Sequence, residues 1–183
     1  MKKINSLFFL MCMCLLSVQA QTKYFTRSGV IKFISDTPME QLESSNKDVN
    51  IILDPATGNI ACKVMMKSFE FEKEAMKEHF NDKYLETDAY PNATLSGVVN
   101  GVKDYAKNGT YDVIVEGDLT IHGVTKKIKQ RGKIIIDSGK IIVKAQFNVK
   151  LSDFKIKISS DYVKKISDVI DLYVSGTLTL FQR

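Results

Sequence analysis

Residues 111–121 read YDVIVEGDLTI. Tyr111, Val113, Val115, Gly117, Leu119 and Ile121 occupy the odd positions, with Asp112, Glu116, Asp118 and Thr120 among the even ones. Successive side chains of a β-strand point to opposite faces, so this spacing predicts a strand with one dry face and one wet face.

The same alternation recurs on both sides of that stretch. Ile141, Val143, Ala145, Phe147, Val149 and Leu151 share one face, opposite Lys144, Gln146, Asn148 and Lys150. Leu172, Val174, Gly176, Leu178 and Leu180 alternate with Ser175, Thr177 and Thr179; Ile60, Cys62, Val64 and Met66 lie opposite Lys63 and Lys67. Turn chemistry separates the runs. Asp54 to Asn59 (DPATGN) and Asp137 to Lys140 (DSGK) each link two strands, and Asn100-Gly101 and Asn108-Gly109 are dipeptides of tight hairpins. His122-Gly123 turns the chain ahead of a strand over Lys126 to Ile136.

Hairpin after hairpin predicts an all-β fold of about eight antiparallel strands. Such a sheet, dry on one face, must close into a barrel or fold into a sandwich, and long strands on short turns favour the barrel. At roughly eight strands the interior is filled by side chains or holds one small ligand. Only Glu72 to Leu85 (EKEAMKEHFNDKYL) breaks the pattern. Met76, Phe80 and Tyr84 form one apolar stripe there, which predicts a short amphipathic helix capping an open end and ending before Pro91.

Ahead of this single domain, set at residues 21–183, lies a different kind of segment. Lys2 and Lys3 precede an apolar run, Leu7 to Val18, interrupted only by Ser17, and Val18 and Ala20 supply small residues behind it. That is the layout of a signal peptide over residues 1–20, cleaved after Ala20, and it predicts a periplasmic or secreted protein. The run is short of the roughly 20 residues of a spanning helix, and no transmembrane segment is expected in the mature chain. Cys12 and Cys14 sit inside the apolar run rather than behind a small-residue box at its end, which argues against a lipoprotein. Without residues 1–20, the 26 Lys and Arg fall to 24 against 21 Asp and Glu, a net charge of +3 in place of +5. Cys62 alone remains, which excludes an intramolecular disulfide. A domain of about 160 residues buries roughly 70% of its unfolded surface and needs no such staple.

Few constellations carry chemistry. The two histidines, His79 and His122, and the one mature cysteine are far apart in sequence, and no His-x-x-x-His or Cys-x-x-Cys spacing makes a metal site. No serine sits in a nucleophile elbow, no glycine-rich loop leads into a helix, and the carboxylates are scattered over wet faces. The basic stretch Lys126 to Lys133 is read as the wet face of a strand rather than a contact for head groups or nucleic acid, since no aromatics interleave with it. Gly97, Gly117, Ala145 and Gly176 on dry faces fit either room for a ligand or close backbone approach. Met65, Met66, Met76 and Phe80 near the open end supply adaptable apolar surface for a site or for a plain core cap.

One decapeptide is more specific. Gly117 to Lys126, GDLTIHGVTK, resembles the G-x-L-T-x-H-G-V-T-K segment of the YceI-like proteins. Ser28 to Phe33, His79-Phe80 through Tyr84-Leu85, Tyr90 to Thr94 (YPNAT), Phe147-Asn148-Val149 and Asp153 to Ile156 (DFKI) resemble further family segments in the same order. The resemblance spans nearly all of residues 24–181. It implies a lipocalin-like antiparallel barrel with a helix near one end, an exported bacterial protein, and a long-chain polyisoprenoid or quinone-like lipid enclosed in the barrel. Where many members carry an Arg-Asp pair before the Tyr-Pro motif, this chain has Ala75 to Phe80 (AMKEHF), so the resemblance does not extend to head-group recognition.

The leading expectation is therefore a non-enzymatic carrier or scavenger of apolar lipid. Its ligand-binding residues are Met76 and Phe80 at the mouth and Val113, Val115, Leu119, Phe147, Val149, Leu172 and Val174 along the wall. No catalytic residue, metal or cofactor is expected beyond a non-covalently held isoprenoid-type lipid. No nucleic acid is expected as partner, and a homodimer is left open. The rivals are a fully packed barrel acting as an interaction module and an enzyme working through His79, His122 or a buried carboxylate.

Overall fold

The structure, a computed structural model, describes residues 22–181. The segment expected to be a signal peptide lies outside them. Eight strands follow one another: β1 (Tyr24–Asp36), β2 (Gln41–Leu53), β3 (Asn59–Met65), β4 (Asn92–Asn100), β5 (Gly109–Ile121), β6 (Val124–Asp137), β7 (Lys140–Lys150) and β8 (Val169–Leu180). Each pairs antiparallel with the next, and β8 returns to β1 from Tyr24↔Leu180 to Ile34↔Asp171, closing the barrel. Closure leaves each strand a neighbour on both sides, although the β2–β3 and β6–β7 ladders cover only part of their strands.

The barrel has two unlike ends. At the turn end the chain passes from β2 to β3, from β4 to β5 and from β6 to β7. At the loop end lie the β1–β2 turn, the β5–β6 turn and two long connections, 66–91 and 151–168. The Asn-Gly dipeptides flank one connection, 101–108, instead of centring two tight hairpins. Val102 and Tyr105 from it pack against the core, so the segment plugs the turn end and a two-residue turn would leave that end open.

The helical segment is shorter than Glu72 to Leu85. Helix α1 (Glu74–His79) is followed by a π-helical turn over Phe80–Tyr84, in which the Leu85 N–H donates to the Phe80 carbonyl at 2.9 Å. No side chain caps the helix at Lys73, so its packing rather than its own termini holds it. Phe80 stacks on Phe33 of β1 (5.9 Å between centroids) and meets Phe69 at 5.4 Å and Phe71 at 5.0 Å. Four phenylalanines thus fasten the cap to the wall.

Alternation runs unbroken through β5, β7 and β8 but not through β1 and β2. Asn46 and Val49 are both fully buried, and the register shifts beside Gly29. Asn46 Oδ1 accepts from the Asp48 N–H (2.8 Å) across the irregularity, and a β-bulge of this kind moves the inward face by one residue.

Candidate functional site

Inside the loop-end half of the barrel is a cavity of about 460 Å³. That lies within the roughly 300–1,000 Å³ of small-molecule sites. Its floor is formed by fully buried Val49 and Ile51 with Ile60, Ile134 and Val143. Its wall carries Ile31, Leu95, Val113, Val115, Leu119, Ile128, Phe147, Val149, Leu172 and Val174, and its roof is Met76, Phe80, Leu85, Ile156 and Ile158. Polar side chains sit mainly at its openings: Glu40, Lys73, His79, Tyr162 and Lys165 at the loop end, Gln130 and Arg131 at the side.

All nine residues expected from alternation and the helical stripe lie on this surface. Sequence reasoning missed Phe33, Phe69, Phe71, Leu85, Ile156 and Ile158, most of which come from connections with no period to read. The dry-face glycines mark close approach, of backbone at Gly97 and Gly117 and of a packed side chain at Gly176, not ligand space. Gly97 and Gly117 face each other across β4 and β5, and a Cβ on Gly97 would meet Glu116 O at 2.3 Å. A Cβ on Gly176 would meet Ile51 Cδ1 at 2.8 Å. Of the four small residues expected on dry faces, Ala145 alone borders the cavity.

Cys62 also faces the cavity, and burial pushes its thiol up to about 12. A thiol with that pKa is a small apolar group at neutral pH rather than a nucleophile. Among the described residues no cluster of three His, Cys, Asp or Glu could hold a metal, and no helix is long and apolar enough to cross a membrane. What the cavity can do chemically is enclose apolar matter and exclude water.

The loop end is tied together by His122. It adopts φ 51° and Gly123 φ 71°, the two positive values of a tight I′-type hairpin, which L-residues rarely adopt. The ring's Nε2 lies 2.7 Å from Glu86 Oε2 and its Nδ1 3.3 Å from the Phe154 carbonyl, while the ring packs edge-to-face with Tyr90, 4.4 Å between centroids. One side chain therefore joins the β5–β6 turn to both long connections. A Cβ at position 123 would meet the Tyr90 ring at 2.6 Å, which explains the glycine beside it.

The profile of the YceI-like domain matches residues 20–178, close to the whole described chain. This chain belongs to the YceI-like family. No curated protein matches it. Among solved structures, the YceI-like barrel here is similar to a polyisoprenoid binding domain from Saccharophagus degradans implicated in plant cell wall breakdown (TM-score 0.73, 14% identity, 87% of this chain and 98% of that one). It is also similar to BcnA of Burkholderia cenocepacia (TM-score 0.68, 15% identity, 82% and 96%). The YCEI protein of Campylobacter jejuni follows at TM-score 0.61 and 22% identity, with 78% and 86% covered. At these identities the likeness shows a shared barrel. Within the family's decapeptide, His122 and Gly123 tie the segments of the loop end together and Leu119 and Ile121 line the cavity.

Proposed function

We propose that this YceI-like protein is an exported, soluble carrier or scavenger that encloses a long-chain apolar lipid of the polyisoprenoid or quinone class in its barrel, acting in the periplasm. The hollow, apolar loop-end half of the barrel carries the reading. The packed-barrel alternative required a filled interior, and the cavity argues against it. The sequence segment Met1 to Ala20 supports export, and the polyisoprenoid-binding role of the Saccharophagus domain, on the same barrel, supports the ligand class.

Magnitudes favour a long ligand over a short one. At about 0.8 kcal/mol per buried CH₂, about ten carbons contribute roughly 8 kcal/mol, comparable with the about 4–15 kcal/mol that association costs. With the charged side chains that border the cavity sitting mainly at its openings, further chain length must supply the affinity. The wall residues Val113, Val115, Leu119, Phe147, Val149, Leu172 and Val174, with Met76 and Phe80 at the roof, contact the ligand in this reading.

Native mass spectrometry of the mature protein from its own periplasm, followed by organic extraction, tests it. A stoichiometric apolar adduct is expected, and the extract names its class. A bare mass that stays unchanged after incubation with isoprenoid quinones and alcohols would overturn the carrier reading.

A further inference from the structure

The barrel closes with one side unfinished. The β6–β7 ladder runs from Asp137↔Lys140 only as far as Gly132↔Ala145. Above that pair, β6 is bonded to β5 alone, through to Ile121↔Val124, and β7 to β8 alone, through to Lys150↔Val169. Residues 124–131 and 146–150 thus face each other as unpaired strand edges. Edges of this kind present free N–H and C=O groups and are ordinarily covered.

The barrel shows what covering looks like at its other gap. The β2–β3 ladder stops at Val49↔Val64, leaving the first half of β2 without β3. There Ser45 and Glu70 exchange backbone hydrogen bonds (3.4 and 2.8 Å), Ser44 Oγ donates to the Glu70 carbonyl (2.6 Å), and Asn46 Nδ2 donates to the Met65 carbonyl (2.8 Å). Among the described residues nothing comparable spans β6 and β7. The cavity boundary instead reaches Gln130, Arg131 and Lys144, so the interior opens sideways there.

The frame of this window is cationic. Lys127, Lys129 and Lys133 on β6 are paired with Asp118 (3.1 Å), Glu116 (2.7 Å) and Asp112 (2.7 Å) of β5. Lys126, Arg131 and Lys144 are exposed and make no ion pair among the described residues. Lys126 stands opposite buried Leu119 and so shares its inward-facing register, yet it is exposed, which the missing neighbour strand explains. Lys155 and Lys157 lie in the connection that His122 pins, with Asp153 as the nearby acid in sequence.

We propose that this window is a lateral port that docks on an anionic phospholipid surface. Its unpaired cations meet the head groups, and the open seam lets an apolar chain pass between bilayer and cavity without crossing water. The inference rests on the lipid-enclosing reading above. It specifies the surface from which the ligand is taken and the side of the barrel through which it moves.

The test uses the mature protein with vesicles of phosphatidylcholine, with and without phosphatidylglycerol, read by co-sedimentation. Binding is expected only with phosphatidylglycerol and should weaken as salt screens the charges. The triple variant Lys126→Glu, Arg131→Glu, Lys144→Glu should lose binding by about a hundredfold or more. The variant Lys63→Glu, Lys103→Glu, Lys107→Glu makes the same charge change on exposed residues away from the window and should bind like wild type. Equal losses in both variants, or no wild-type binding, would overturn the port. So would vesicle-free dimerisation, seen by light scattering and abolished by the first variant, since the open edges would then serve a second copy. Uptake of the apolar dye N-phenyl-1-naphthylamine, measured without vesicles, separates the two readings. A wild-type protein that takes dye but ignores vesicles refutes the port, and one that takes no dye refutes the hollow carrier. If the glutamate set fails to fold, Lys126→Gln, Arg131→Gln, Lys144→Gln gives the same comparison with charge removed only.

Discussion

The two halves of the barrel are built from the same alternating strands and end in opposite states. At the turn end, Leu53, Ile134, Ile136, Ile141 and Leu178 are at most 3% exposed and fill the space between the walls. Toward the loop end, Val115, Ile128, Phe147, Val149, Leu172 and Val174 sit on the same inward register but are only half-buried, because they border empty space. Side-chain size does not separate the two sets. The difference lies in what closes each end: the 101–108 plug brings Val102 and Tyr105 into the core, while the loop end is roofed by segments that keep their distance from the floor.

The comparison breaks most visibly under large-to-small substitution. Ile141→Ala at the packed end removes fully buried methyls and leaves a new void, so a loss of about 2–5 kcal/mol is expected. Leu172→Ala in the hollow half enlarges a space that already exists, and the ligand-free protein should lose only about 1 kcal/mol. Urea denaturation of both variants measures the gap. Equal losses would mean that the loop-end half collapses onto itself when empty.

A charge sharpens the contrast between the inside and the outside of the hollow wall. Val115→Asp places a carboxylate on the cavity wall, where it is costly without a partner, and should abolish lipid retention. Glu116→Ala, one residue along, removes only the exposed pair with Lys129 (2.7 Å). It should leave retention unchanged and alter stability by less than about 1 kcal/mol. Adduct yield in native mass spectra reads the first effect, and urea midpoints read the second. Retention in Val115→Asp would mean the chain lies elsewhere in the cavity.

How far the sequence spoke follows from the same division. In β5, β7 and β8 no bulge interrupts the period of two, so Val113, Val115, Leu119, Phe147, Val149, Leu172 and Val174 could be placed on the inner wall from spacing alone. In β2 the shift between Asn46 and Val49 hid the inward set. Hollowness was not legible, because it depends on connections such as 66–91, where Phe69 and Phe71 follow no period. The β6–β7 window was invisible for a different reason. Register belongs to a pair of strands, and the stretch Lys126 to Lys133 reads as wet face whether or not a neighbour lies beside it. The outward lysines at 127, 129 and 133 do match that reading, each paired to β5.

Cys62 stands at the boundary between the halves, opposite fully buried Ile51 on one side and half-buried Leu95 on the other. In the fold its thiol stays protonated up to about 12, against an ordinary value of 9.0. Below pH 9.0 both folded and unfolded chains hold the proton, and the group's contribution to stability is complete. Above it the unfolded chain ionises while the fold cannot, so stability falls as pH rises towards about 12. Cys62→Ala removes that slope and leaves the lysine and tyrosine titrations in place. The stability of wild type relative to the variant, from urea midpoints, should therefore be level below pH 9.0 and decline above it. A flat difference throughout would mean that water reaches the thiol, placing Cys62 in the hollow half and moving the packed floor below it.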